Sequence, residues 1–554
     1  MLKHKTATVV FALFLQFFLT LAEPPSITLP FDPYQLFPTT IDTLEILSPQ
    51  EKLRRIEILN ANRFEQFSDT TTNILIRKLV GNVRLRHKST LMNSDSALLY
   101  VQTNYVEAGG NIFIKNGDTM TIRGQKLKYF GDQQYAIIEE NVVLKDGKTM
   151  LTTNTLDYQL NTDIGTFTNQ GKVTKDSITI TSNQGIYDKN KQEIFFKYNV
   201  ELKTKEYNIF ADSMRYDLEK DIAYFIGKTL IVGEEDTIHT TKGYFDNKTN
   251  KIYFEGRPLI KRSNTTITAN SIDINNKSKN GIAKGDVHFV HKEEHFEVIA
   301  NQIEYKDSIG YTMASKDPLL IQIDTSKNDT LYLSADTIIS YYTYFVKDTI
   351  INIKDSARIM QAYHHSKVFQ KNLSAICDSI YADYKDSLMV LNGSPLAWID
   401  STQVSADTII LKLKNKQVDK IMLRSNSWII QMNADSIFNQ IKGKNIDIYI
   451  EDEKIKYTYI DGNAESIYFL QNDKKEYMGA NQSKSAYIEM YFDKDEITKI
   501  KLAQSAEAVF TPMKKIDLDN FLLEDFIWHW DLKPKSKNDV IRNTTLYNKI
   551  YIEH

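Results

Sequence analysis

One stride dominates this chain. Tyr100, Tyr129, Tyr158, Tyr187, Tyr216, Phe245 and Ile274 recur at a constant interval, each number 29 above the last. Leu98, Leu127, Leu156, Gly185, Met214, Gly243 and Ile272 stand two residues before them. Four before stands a small polar residue: Ser96, Gln125, Asn154, Asn183, Asp212, Thr241 or Asn270. A period held over seven copies requires one supersecondary unit stacked many times, each copy burying its apolar face against its neighbours.

Each copy reads as two strands. Val, Ile, Thr, Tyr and Phe dominate the runs, as pleated half-buried surfaces prefer. Asn116-Gly117 and Asp146-Gly147 divide apolar runs in the manner of tight hairpins. The spacing within a copy carries a kink. Ile122 and Gly124, then Leu127 and Tyr129, alternate with a gap of three between the pairs. Leu151, Thr153, Leu156 and Tyr158 repeat it, as do Ile209, Ala211, Met214 and Tyr216. A strand alternates with period two, so its inward face changes parity at that gap. A β-bulge or a corner does this. The expectation is an all-β chain of antiparallel strands, bent so that two sheets face each other. A second signature fits the bend: Gly81-Asn82-Val83, Gly110-Asn111-Ile112 and Gly285-Asp286-Val287 place glycine where a strand bulges. The inward positions are predicted to be Leu127, Tyr129, Leu156, Tyr158, Tyr187, Met214, Tyr216, Phe245, Ile272, Ile274, Ile303 and Tyr305.

The flanks differ. Residues 1–22 have a basic start (Lys3, His4, Lys5), an apolar run and a small-residue end, the pattern of a cleaved export signal; a retained anchor is the alternative. Residues 23–55 begin with five prolines and read as an extended tether. The repeats divide softly near Tyr341, giving arrays over 56–340 and 341–511. Residues 512–554 cluster Phe521, Phe526, Trp528 and Trp530 and read as a cap over the last strand or a docking tail. An exported chain with one cysteine, Cys377, holds no internal disulfide, so the sheet core must supply its stability.

The chemistry is sparse. A net charge of −3 over 554 residues argues against bulk nucleic-acid binding. His291-Lys292-Glu293-Glu294-His295 matches an inverted zinc-protease motif, but that motif needs a helix, and the period places it at a hairpin turn. No phosphate loop, dinucleotide fingerprint or nucleophile elbow occurs. No catalytic residue, metal or cofactor is predicted. Between Lys52 and Lys88 nine basic residues face three acidic ones. Arg84, Arg86 and Lys88 share one face of a strand, either as a solvated edge or as an anion-facing patch.

The run Gly81-Asn82-Val83, Asp95-Ser96-Ala97, Gly110-Asn111-Ile112, Leu127-Lys128-Tyr129 and Ala211-Asp212-Ser213-Met214-Arg215-Tyr216 resembles the OstA-like (organic solvent tolerance) family. These are periplasmic lipopolysaccharide-transport proteins, among them the bridge protein LptA and the N-terminal domain of LptD. The resemblance spans roughly Ile56 to Phe510, and the Trp528/Trp530 tail looks like that of the long Bacteroidetes forms. It implies an elongated, twisted β-jelly roll with an open groove for acyl chains. It also implies periplasmic binding of lipopolysaccharide or a related glycolipid on its way to the outer membrane. Open sheet edges would join other transport proteins, or copies of the chain end to end. The twelve inward residues would then line the groove, with Arg84, Arg86 and Lys88 near the head group. The rival readings are a structural or adhesive β-solenoid with a filled interior, and a carbohydrate-processing β-helix.

Overall fold

The computed structural model describes residues 55–551 except 235, 307–309, 326–327, 344–345, 348–349, 352–356, 415–416, 435, 452–453, 473 and 494–495. The expected export signal and all of the expected tether except Arg55 lie outside the described residues. Within them the chain is 71% strand and 3% helix, as the period-two runs require. By compactness it divides into an N-terminal unit (55–263 with 273–277) and a C-terminal unit (264–272 with 278–551).

The N-terminal unit is built from hairpins. Leu75–His87 pairs antiparallel with Thr90–Tyr100, which pairs with Tyr105–Asn116, then Met120–Phe130, Tyr135–Asp146 and Thr149–Gln159. Reversals fall at Asn116-Gly117 and Asp146-Gly147, where Gly117 (φ 67°) and Gly147 (φ 55°) are left-handed. The opposite turns use Asn104, Gln134, Asp163, Gln192, Asp221 and Asn250, all left-handed with φ between 46° and 66°. Short polar side chains reach that region more readily than branched ones.

The predicted parity break is a register skip. Pairing jumps between Gly109 and Ile112, between Arg123 and Lys126, and between Glu139 and Val142. On the returning strand two consecutive left-handed residues make the bulge: Gly81-Asn82, Gly110-Asn111, Glu140-Asn141 and Tyr198-Asn199. A Cβ on Gly110 would stand 2.4 Å from the Asp95 carboxylate, which accepts a 2.8 Å hydrogen bond from Asn111 Nδ2. Asp95, ahead of the inward pair Ala97 and Leu99, therefore caps its bend. In some copies the bend parts the strand in two: Ile164–Phe167 with Gly171–Lys175, and Ile178–Ser182 with Gln184–Asp188.

The first copy corrects the stride. Ala97 and Leu99 are the buried residues near the end of Thr90–Tyr100, while Leu98 and Tyr100 face outward. Asp95, not Ser96, sits at the corner. The first step, from Leu99 to Tyr129, is thus one residue longer than the steps that follow.

The C-terminal unit repeats the bent-hairpin plan through Phe296–Lys306, Ala357–Gln370, Gln417–Ala434 and Tyr477–Asp493. After Pro512 the chain turns back along the outer face of this unit. Leu523 joins a cluster with Trp428, Ile430 and Phe469. Further on, Val540 and Ile541, with Leu546 and Tyr547 of the helix Thr544–Tyr551, cover Ile299, Leu319 and Ile321. Two outward glutamines pin this strap as a sheet neighbour would. Gln440 accepts from Leu523 N at 2.8 Å and donates to Phe521 O at 3.4 Å. Gln403 accepts from His529 N at 2.7 Å and donates to Ile527 O at 2.9 Å. The strap leaves Val509 and Phe510 of Glu507–Pro512 exposed.

Candidate functional site: an apolar interior closed by polar rungs

All twelve predicted inward residues are buried, with relative exposures of 0% to 6%. In the N-terminal unit Tyr129, Tyr158, Tyr187 and Tyr216 stand near the ends of their strands, rings inward. A second aromatic ladder stands on the same inward face, opposite the positions two residues before the tyrosines: Phe167, Phe196, Phe225 and Phe254, set at the same interval and fully buried. Gly185 breaks the apolar pattern because Phe167 fills its place; a Cβ there would lie 2.4 Å from the Phe167 ring. In this unit the space between the two faces is filled by side chains, where the resemblance implied an open groove.

At each copy the tyrosine hydroxyl belongs to a polar set that spans the two rims, one rung per copy; Asp163 and Asp221 stand in the turn after their own tyrosine's strand, and those two sets cross to the other rim through Asn116 and Lys175. His87 Nδ1 lies 2.5 Å from Tyr129 Oη. Tyr158 donates to Asp163 Oδ1 at 3.1 Å, and the same oxygen accepts from Asn116 Nδ2 at 2.8 Å. Tyr187 donates to Asp146 Oδ2 at 2.6 Å. Tyr216 donates to Asp221, whose Oδ1 also lies 3.3 Å from Lys175 Nζ; Lys175 donates in addition to Leu218 O. His87, Asn116, Asp146 and Lys175 each end a strand at one rim. Tyr129, Tyr158, Tyr187 and Tyr216 each lie one residue inside the strand end at the other. Each rung therefore ties the two rims across the mouth opposite the bend.

Electrostatics suit a closed rung. Burial, and next the bonded carboxylate, pushes the Tyr187 and Tyr216 hydroxyls far above the usual phenol range, so both remain donors. At Asp221 burial alone would raise the carboxyl. Hydrogen bonds from Tyr216 and Asn247 and the Lys175 charge outweigh it and hold Asp221 below the usual range.

Residues 54–212 match the sequence profile of the OstA-like protein family. This stretch resembles that family. It lies within the N-terminal unit and carries three of the four rungs complete, those of Tyr129, Tyr158 and Tyr187. A solved structure of LptH, described as the LptA homologous periplasmic component of the conserved lipopolysaccharide transport device from Pseudomonas aeruginosa, aligns at 14% identity. The alignment covers 25% of this chain and 95% of that chain, with a TM-score of 0.20. No curated protein matches.

The basic residues of the matched stretch stand apart from its interior. Arg84 and Arg86 are exposed on the outer face of Leu75–His87, and Val83 and Leu85 are buried behind them. Lys88 corrects the expectation: the strand ends at His87, and Lys88 sits in the following turn with φ 54°. Nor is this an edge strand. Glu57–Asn60 and Arg63–Ser68 pair with it, and Arg86 lies 3.9 Å from Glu57. Among the described residues Arg63–Ser68 is the outer neighbour, with Phe64 54% and Phe67 47% exposed.

The remaining sequence candidates occupy repeat positions. His291 ends the strand Asn280–His291, stacks on Phe296 at 5.3 Å and accepts a bond from Glu294 N, so the histidine motif spans a hairpin turn. Among the described residues no group of three or more His, Cys, Asp or Glu is placed to hold a metal ion. Cys377 is buried, which with neighbouring Asp378 pushes its thiol up to about 12. No helix among the described residues is long and apolar enough to cross a membrane, which says nothing about crossing by strands.

Sequence reading misses the rim residues because Asn, Asp and Lys at strand ends look like ordinary turn formers. Their own stride is the available signal: His87, Asn116, Asp146 and Lys175 follow one another at the repeat interval to within a single residue.

Proposed function

We propose that this chain binds lipopolysaccharide or a related glycolipid without covalent chemistry and carries it through the periplasm toward the outer membrane. Acyl chains lie between the two faces of the bent strands, and the head group stays at the rim. The observation that carries this reading is the apolar interior repeated copy by copy through a stretch that resembles the OstA-like family. An acyl chain entering there replaces side-chain packing and leaves water, at about 0.8 kcal/mol per buried CH₂. The polar seam along one side leaves a route for a head group that must remain wet. Arg84, Arg86 and Lys88 receive phosphate-bearing head groups, Arg by its two-pronged geometry. The exposed edge at Arg63–Ser68, with Phe64 and Phe67, joins another transport protein or a second copy by strand addition.

A second reading, a structural solenoid, is favoured by one specific observation: the interior of the N-terminal unit is filled. Capture of a fluorescent diphosphorylated lipid A from detergent micelles separates the two. The glycolipid reading expects saturable capture. It also expects R84E/R86E to weaken capture several-fold at low salt and less at high salt, since exposed charges are screened. No capture by the wild-type chain favours the filled solenoid.

A further inference from the structure

The filled interior and a lipid cargo are reconciled by the rungs. We infer that the mouth of the N-terminal unit is a latched lateral gate. The cargo enters sideways by breaking the contacts that cross between the rims, His87 with Tyr129, Asn116 with Asp163, Asp146 with Tyr187 and Lys175 with Asp221, not by threading from a sheet edge. This inference rests on the glycolipid reading above.

Three observations point this way. First, the bend and the mouth are built differently. The bend is held by the covalent chain and by continuous sheet pairing on both of its arms. Among the described residues the mouth is held by side-chain bonds, one of them to a backbone carbonyl (Lys175 to Leu218 O), with one rung per copy. Second, the rungs are separable. Each is a small polar set: His87 with Tyr129; Asn116, Asp163 and Tyr158; Asp146 with Tyr187; Lys175, Asp221 and Tyr216. A hydrogen bond of this kind contributes on the order of 1 kcal/mol net, so the rungs give way one after another as the paired arms part along the array. Third, every rung group has a use on both sides of the transition. Closed, the hydroxyl and its imidazole or carboxylate partner satisfy each other in the dry interior. Open, both reach water at the rim, while the apolar face of the same tyrosine stays on the interior to meet an acyl chain. An aliphatic residue at the tyrosine position would pack the closed state equally well but would have no polar tip for the rim.

A reversible lock tests this. The full chain in a Cys377→Ala background, carrying Asn116→Cys and Asp163→Cys, joins the two rims where their side chains already touch. The labelled lipid A above is the probe. The expected result is capture at least tenfold slower in the oxidised protein than in the same protein after reduction. Equal rates in the two states overturn the gate while leaving the glycolipid reading intact. Absence of capture by the wild-type chain overturns both. A second variant does not depend on disulfide geometry. Tyr187→Phe keeps the ring and removes the rung, and is expected to speed capture about two- to tenfold; a rate equal to wild type counts against the latch.

Discussion

Replacing Tyr216 with Asp is expected to lower the thermal midpoint of the N-terminal unit by about 10 °C, since a buried unpaired charge costs about 3–5 kcal/mol and each kcal/mol moves the midpoint of a unit this size by about 2–4 °C. Tyr216 is 1% exposed, and its hydroxyl is already bonded to Asp221. The substitution puts a second carboxylate beside the first, removes the hydroxyl donor and leaves the volume of the ring empty. That cavity adds to the cost of the charge. Lys175 does not rescue the variant, because Asp221 already holds it. Ile186→Asp is the control one residue from Tyr187, on the outward face and 42% exposed. It is expected to leave the midpoint nearly unchanged, as surface substitutions do. A Tyr216→Asp protein that melts with the wild type would mean that the tyrosine ladder does not point inward.

Ending the chain after Pro512 is expected to damage the C-terminal unit and spare the N-terminal one. The strap contributes Leu523, Val540, Ile541 and Leu546, all at 6% exposure or less. Each represents roughly 1.5–3 kcal/mol of apolar burial, an upper figure because the unfolded chain already hides part of its surface. Its removal uncovers Ile299, Leu319 and Ile321 in one place and Trp428, Ile430 and Phe469 in another. Contiguous apolar faces of that kind bind hydrophobic dyes and drive association. It also strands Gln403 and Gln440, two buried amides whose partners are strap backbone groups. The expected readings are strong dye fluorescence and proteolysis confined to residues after 278, with 55–263 protected. A truncated chain with unchanged dye binding and melting would show that the strap is an ornament on a self-sufficient sheet.

The parts of this architecture that sequence reveals are those fixed by backbone periodicity. The parity break between Gly124 and Leu127 locates the bend, because no unbent strand buries both residues. The hairpins at Gly117 and Gly147 follow from the need for left-handed residues. Side-chain identity misleads where it outweighs phase. Tyr100 looks like the first of the tyrosine series, but its distance from the corner at Asp95 puts it outside and Leu99 inside. The strap is visible in sequence only as an aromatic cluster. Its seat is not, because Ser374, Gln403 and Gln440 are polar residues on the outward face, and a polar outward residue ordinarily means solvent. Here their hydrogen bonds serve the strap backbone instead; Ser374 donates to Pro534 O at 2.7 Å. The rungs are hidden for a related reason. A strand-end His87 or Asp146 and a buried tyrosine well over one repeat further on show no local sign of meeting. Their pairing depends on how far the two arms of the bend close.

The claim that an amphiphile lies between the arms is tested most directly by photo-crosslinking at neighbouring positions of one strand. A photoreactive phenylalanine at Tyr187 faces the interior, and the same group at Ile186 faces out. After incubation with labelled lipid A and illumination, the account predicts strong adducts at 187, with adducts at 186 at the level of a protein that carries no probe. Equal labelling at the two positions, or labelling at 186 alone, would contradict it and leave a filled structural solenoid as the better description of the chain.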